Sequence, residues 1–365
     1  MGRVLLVAGA LATGASSSFA GGIERSAQSV APLFETGKYA EFSFGNVGPD
    51  VSGNLAGVFN SDNMLGSYNT FSFGYKQPLG DKFDVALILD QPIGADVDYP
   101  AGAFYPLAGT TAELDSMALT GLVRYKMPSN FSVYGGVRLE SVEGTVDIRT
   151  RPPVGPIPVS YSLQTDRDYQ VGYVIGVAWE KPEIAARVAL TYNSAITHSL
   201  EMSESSTVTP SLVTQQDVEI PQSVNLEFQT GIAADTLLFG SIRWVDWTAF
   251  VIDPPIYNAV YPPRPLVSYQ SDRVTYNLGI GRKFNDIWSG AVVLSHEASS
   301  GDITGNLGPT DGFTSIGLAA TYTRDKLKIT GGLRYIDVGG ATTTLGAQFK
   351  DNSAIGAGFR IAYGF

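Results

Sequence analysis

The chain has two histidines and no cysteine. His198 lies in THSLE and His296 in SHEAS, so each has serine and acidic neighbours that, in a Ser-His or Asp-His arrangement, would support hydrolysis. The composition supplies such neighbours in any case, and nothing else in the chain marks a nucleophile, so no enzyme is expected. Asp96 and Asp98 in ADVDY place two carboxylates in one loop, where solvated charge is expected rather than a held Ca²⁺. With no Cys/His cluster and no Walker-type lysine, neither a metal nor a cofactor is expected. The formal net charge of −11 argues against a nucleic-acid partner.

The residues that offer chemistry are oily ones. Residues 249–271 read AFVIDPPIYNAVYPPRPLVSYQS, dense in large apolar side chains but broken by five prolines. Proline removes an amide donor and fixes φ, so the stretch suits neither a helix interior nor a central strand and is expected to be a loop. Loops usually face water. One that carries Phe250, Ile252, Ile256, Tyr257, Val260, Tyr261, Leu266 and Tyr269 offers apolar surface to a binding partner. Loop 95–111 adds Tyr99, Phe104, Tyr105 and Leu107, and 148–162 adds Val154, Ile157, Val159 and Tyr161.

The elements that position these loops follow from periodicity. Residues 1–20 combine one arginine, a short apolar run and a Ser-Phe-Ala end, which reads as a secretory signal peptide. Beyond it the chain alternates apolar with polar or small residues, segment after segment. In SAIGAGFRIAYGF, Ile355, Ala357, Phe359, Ile361, Tyr363 and Phe365 share one face, and Gly356, Gly358, Arg360, Ala362 and Gly364 the other. Long alternating strands, aromatics at strand ends and alternation of short turns with long loops distinguish a membrane barrel from a soluble sandwich.

The expected fold is all-β, a 14-stranded antiparallel transmembrane barrel over residues 39–365, with 21–38 as a short N-terminal plug on the periplasmic side. The strands are placed at 39–50, 67–77, 82–94, 112–127, 131–147, 166–180, 184–199, 217–233, 236–248, 272–284, 287–299, 312–323, 326–338 and 351–365. Both termini then lie on the short-turn side, and all seven long loops lie outside. Lumen-facing charges such as Glu41, Arg124, Arg138, Glu140, Arg243, Arg334 and Arg360 are expected mostly to pair with one another. The terminal Phe365 resembles the signature that barrel-assembly machinery recognises, and the outer surface is expected to meet outer-membrane lipid and lipopolysaccharide.

PQSVNLEFQTGIAADTLLFGSIRWVDWTAF (221–250) resembles the FadL/TodX family of outer-membrane transporters for long-chain fatty acids and aromatic hydrocarbons. The shared features are a P-x-S strand start, an acidic turn and a W-x-D-W strand end. Residues 112–148 and 273–297 look like further family strands. The resemblance implies capture of hydrophobic ligands by outer loops, transfer to an internal pocket, and sideways exit at an inward kink of the third strand. Here that strand reads KFDVALILDQPIG, with Pro92 at the expected kink. Gly21, Gly22 and Ile23 match the N-terminal tip that reaches the pocket. The family's hatch of some forty residues with an Asn-Pro-Ala motif is replaced by the shorter GGIERSAQSVAPLFETGK (21–38).

The expectation is passive outer-membrane transport of hydrophobic small molecules by a monomer, long-chain fatty acids first and aromatic hydrocarbons next. Phe250, Ile252, Ile256, Tyr257, Val260, Tyr261 and Leu266 would capture ligand, with Phe104 and Tyr105 across from them. Arg264 would greet a carboxylate, Arg243 and Trp247 would mark the way into the lumen, and Arg138 would partner a carboxylate. The rival readings are a polar-solute porin and a non-transporting structural or receptor barrel.

Overall fold

The computed structural model describes residues 22–154, 157–261 and 264–365. The expected signal peptide and Gly21 lie outside them. A 14-stranded antiparallel barrel closes where the first strand, Tyr39–Asp50, pairs with the last, Asn352–Gly364. Closure leaves no sheet edge open to hydrocarbon, where each unpaired backbone group costs several kcal/mol. The predicted faces hold: Ile355, Phe359, Ile361 and Tyr363 are exposed on the outer surface, whereas Arg360 and Ala362 are buried inside.

Eleven of the expected strands are continuous in their central parts, but the third, seventh and eighth are interrupted. The third divides into Phe83–Asp90 and Gly94–Asp98, the seventh into Ala186–Asn193 and Ile196–Ser206, and the eighth into Leu212–Ile220 and Ser223–Ala233. Pro92 and Pro221 lack the amide that a ladder needs at two of these breaks. The sixth strand begins earlier than expected, as Val159–Thr165 followed by Asp168–Lys181, so much of the expected 148–165 loop is sheet. Its interruption is a bulge: between Thr145↔Gln164 and Val142↔Asp168 the sixth strand has one more residue than the fifth.

These irregularities lie on one line across the wall. Asn193 faces Ser223 just below the breaks of strands seven and eight, and Ile196 faces Ile220 just above. Further along, Asp168 faces Val142, Val142 faces Ser116, and Ala118 faces Asp90 at the third-strand break. The outer halves of strands three to eight therefore form a panel that departs from the barrel wall below it.

The loops close over this panel. Three of them contribute to a five-stranded cap made of Gly53–Leu55, Phe59–Asn60, Ile303–Thr304, Ala341–Thr343 and Gln348–Phe349. The proline-rich stretch is more ordered than a plain loop. Val251–Ile252 pairs with Val267–Ser268, and Pro255–Val260 forms a short helix. Pro255 occupies the first helical turn, where its missing amide would have no intrahelical partner anyway.

The N-terminal segment descends through the lumen to the first strand. Arg243 holds Glu24 and donates to Gln28, Ser223 and Asn225. Asn225 donates to the carbonyl of Ala27 at 2.8 Å, and Phe34 lies between the guanidinium groups of Arg124 and Arg187. Buried charges pair as expected: Asp84 meets Lys76 at 2.8 Å and Lys126 at 3.2 Å, and Glu41 lies 3.7 Å from Arg360.

Candidate ligand pathway through the barrel

Two cavities follow one another inward from the loops. The outer one, of about 620 Å³, is bounded by Ile148, Thr150, Val154, Tyr257, Tyr261, Arg264, Leu266, Leu307 and Leu345. The inner one, of about 100 Å³, lies against the panel, whose Val97, Leu114, Val146, Leu163, Leu200 and Met202 form its wall. Phe250, Ile252 and Leu266 close it from the loop side and Ile23 from the hatch side. Leu266, Ser268, Ile303 and Leu307 border both cavities and so form the throat between them.

The loop helix at the outer cavity is held by a buried carboxylate. Glu204 on the seventh strand accepts from the amides of Ile256 and Tyr257 at 3.1 and 3.3 Å. It also accepts from Tyr161 Oη at 2.9 Å and Thr214 Oγ1 at 2.6 Å. The first amides of a helix have no partner of their own, so this carboxylate fixes how Tyr257 and Tyr261 face the cavity. Burial pushes the Tyr257 phenol up to about 12, with Tyr261 and Asp253 adding to the effect, so it is neutral at any physiological pH.

Beyond the inner cavity lies the third-strand break. Ladder pairing between the second and third strands covers Phe73–Leu79, while Tyr68–Ser72 pairs only with the first strand. The N-terminal segment lies over this seam from inside. The Arg25 amide donates to the Pro92 carbonyl at 2.9 Å, the Gly94 amide donates to Ile23 at 2.8 Å, and Glu24 bridges Ile93. The Arg25 guanidinium lies 3.4 Å from the Tyr68 ring centroid and 3.3 Å from Asp96 Oδ2. A cavity of about 20 Å³ remains between Ile23, Arg25, Leu65, Tyr68 and Val97. Asp96 is thus tied to the hatch and is not a free loop charge.

The structure sorts the predicted site residues. Phe250, Ile252, Tyr257, Tyr261, Arg264 and Leu266 line the two cavities, and Ile23 meets the inner one. Ile256 and Val260 pack behind them in the same apolar cluster. Gly22 precedes Ile23 with φ of +80°, a backbone conformation that suits glycine. Phe104 and Tyr105 are not across from the loop. Phe104 is exposed and stacks on Phe59, and Tyr105 is buried against Tyr99 in the core of the cap. Trp247 is buried against Phe250 and Tyr269 and supports the pocket from behind.

The two expected lumen arginines do other work. Arg243 secures the hatch, as described above. Arg138 lies below the pocket and donates to Thr120 at 3.0 Å and Asn193 at 3.1 Å. Neither lines the cavities because the hatch and the polar layer around it use their donors. His198 is fully buried between Asp168 at 3.0 Å and Glu140 at 3.8 Å, and His296 meets Thr314 at 3.0 Å. Among the described residues no group of three or more His, Cys, Asp or Glu is arranged to hold a metal ion.

The panel residues and Glu204 escaped sequence reasoning. The signal was available for the panel: Ile196, Leu200 and Met202 alternate on the lumen side of ITHSLEM, but the strand expected to end at 199 runs on to Ser206, so Leu200 and Met202 lie in sheet rather than in the expected 200–216 loop. Glu204 gave none, since the loop-helix amides it holds are about 50 residues away.

The profile of a family described as outer membrane protein transport protein (OMPP1/FadL/TodX) matches residues 36–292. Among solved structures, a FadL homologue from Pseudomonas aeruginosa aligns with a TM-score of 0.76 at 14% identity, covering 92% of each chain. The toluene transporter TodX of Pseudomonas putida aligns with a TM-score of 0.67 at 13% identity, covering 92% of this chain and 91% of its own. The monoaromatic hydrocarbon channel CymD aligns with a TM-score of 0.61 at 11% identity, covering 92% and 90%. None of the curated proteins matches the sequence.

Proposed function

The chain belongs to the OMPP1/FadL/TodX family of outer-membrane transport proteins, and on that premise we propose that it carries compact hydrophobic molecules, about one aromatic ring in size, passively inward. The observation that carries this reading is the inner cavity. It is walled by Val97, Leu114, Val146, Leu163, Leu200, Met202, Phe250 and Leu266, and holds about 100 Å³. An apolar cavity of roughly 150 Å³ accommodates one benzene ring. A ring therefore enters once the cavity widens by about half, whereas a long acyl chain must trail back through the throat into the outer cavity.

Ligand would be caught by Tyr257, Tyr261 and Leu266, pass the throat, displace Ile23 and leave through the third-strand seam into lipid. At each stage apolar surface exchanges water or lipid for apolar side chains, so no coupled energy source is needed. TodX and CymD, a toluene transporter and a monoaromatic hydrocarbon channel by their descriptions, support the ring-sized class by analogy.

A second reading, long-chain fatty acids, is favoured by Arg264, a cation at the outer cavity that suits a carboxylate. Uptake into proteoliposomes decides between them. Toluene is expected to enter faster than through protein-free liposomes and to be little slowed by palmitate. Palmitate uptake that toluene does not compete with would favour the fatty-acid reading. A large, steady ion conductance with no uptake of either would establish a polar porin instead.

A further inference from the structure

The wall has a second gap, between the sixth and seventh strands. Their ladder runs from Lys181↔Ala186 up to Val174↔Asn193 and resumes only at Thr165↔Met202. Between these points, residues 168–172 pair with the fifth strand alone and 196–200 with the eighth alone. Two backbone bonds mark the ends of the gap, Ser194 N–H to Tyr173 O at 3.0 Å and Asp166 N–H to Glu201 O at 3.1 Å. A barrel wall in lipid normally pairs every backbone group, so an interruption of this length is costly and calls for a reason.

The gap is closed by side chains. Gly172 leaves room for Ile196, since a Cβ at position 172 would fall 2.6 Å from Ile196 Cγ1. His198 Nδ1 lies 3.0 Å from Asp168 Oδ2 and clasps the two strands together. On the outside Tyr169, Val171 and Tyr173 are exposed apolar surface. On the inside, Leu200 on the edge of the gap is also part of the inner cavity's wall. Ile196 and the His198–Asp168 contact thus fill the wall beside Leu200, at the edge of the inner cavity.

We infer that this gap is a second lateral portal from the inner pocket to the membrane, with Ile196 as its plug and the His198–Asp168 contact as its clasp. It rests on the transport reading above and is distinct from the third-strand seam, which the hatch covers. Gly172 is the register partner of Arg138 on the fifth strand, so the gap lies beside that polar layer, and opening it requires the His198–Asp168 contact to part.

The absence of native cysteine makes the test direct. Gly172→Cys with Ile196→Cys places two Cβ atoms no more than roughly 4 Å apart, the span of a disulfide. Leu65→Cys with Val97→Cys staples the third-strand seam across an existing bridge pair. Toluene uptake by proteoliposomes is measured for each, oxidised and reduced, together with ligand binding in detergent. The inference expects the oxidised 172–196 pair to bind ligand normally but to transport at least about threefold more slowly, with recovery on reduction, as a closed gate does. Ile196→Ala, which needs no cross-link, is expected to transport faster.

Equal rates for the oxidised and reduced 172–196 pair, with no acceleration in Ile196→Ala, would overturn the portal while leaving transport itself intact. Loss of uptake only in the stapled 65–97 pair would do the same and assign the exit to the third-strand seam. Absence of uptake even in the unaltered chain would remove the transport reading, and the portal with it.

Discussion

Glu204 on the seventh strand accepts hydrogen bonds from the amides of Ile256 and Tyr257, so the outer cavity's loop helix is fastened to the barrel wall by one buried carboxylate. The same group receives Tyr161 and Thr214, and all four donors lose their partner if it is removed. Leaving buried donors unpaired costs about 1–3 kcal/mol each. Glu204→Ala is therefore expected to loosen residues 255–261 and weaken ligand capture while the barrel still closes. Amide exchange should rise selectively in that segment, and protection equal to the native chain would refute the role.

Leu266 borders both cavities, which makes the throat sensitive to its size. Leu266→Trp is expected to slow uptake of a ring-sized solute by about tenfold, as an obstructed gate would. Leu266→Ala is expected to admit larger solutes at a stability cost of roughly 2–5 kcal/mol. The size dependence of proteoliposome uptake, measured alongside thermal unfolding, checks both. Unaltered selectivity in the two variants would place the throat elsewhere.

Arg243 anchors the hatch through Glu24 and Gln28. Removing one partner of a buried ion pair costs roughly 3–5 kcal/mol, because the other charge remains buried. In Arg243→Ala this cost falls on hatch docking. Brief proteolysis should cut near the N-terminus before the barrel unfolds, and bilayer recordings should show added ion conductance. A tightly closed, protease-resistant variant would contradict this.

Arg25 closes the third-strand seam by lying over Tyr68 and pairing with Asp96. A cation over an aromatic face contributes on the order of 1 kcal/mol, so its loss shifts an opening equilibrium roughly fivefold. Arg25→Ala is expected to speed solute release by about that factor, whereas Arg25→Lys should fall between. Release measured by stopped-flow partitioning into labelled vesicles supplies the check, and a slower Arg25→Ala would show that the contact assists passage rather than closing it.

The strands were legible because their cause is local. A wall with lipid on one side and a packed lumen on the other demands alternation every second residue, and Ile355 to Phe365 display it without reference to the rest of the chain. Pro92 marked the third-strand break for a reason equally local, its missing amide. The loop residues Tyr257, Tyr261 and Leu266 were recognisable as oily surface out of place, and they do line the cavities.

The residues that lie elsewhere than expected are those whose placement required knowing a partner. Arg138 is expected from the sequence to partner a carboxylate and Arg243 to mark the way into the lumen, but the N-terminal segment and the neighbouring strands use their donors. Phe104 and Tyr105 belong to the cap because the loops pack on each other in a way no spacing reveals.

By itself, the sequence determined a closed antiparallel barrel, its strand count, its inner and outer faces, and a loop with apolar side chains to offer. Only the tertiary structure decided that the interruptions of strands three, six, seven and eight align, that the panel above them walls an apolar cavity, and that Glu204 orients the loop beside it. Alternation is set residue by residue by the two media that face a strand. A pocket is set by which distant segments meet, through contacts such as Glu204 with Ile256 or Arg25 with Tyr68, and those exist only once the chain has closed.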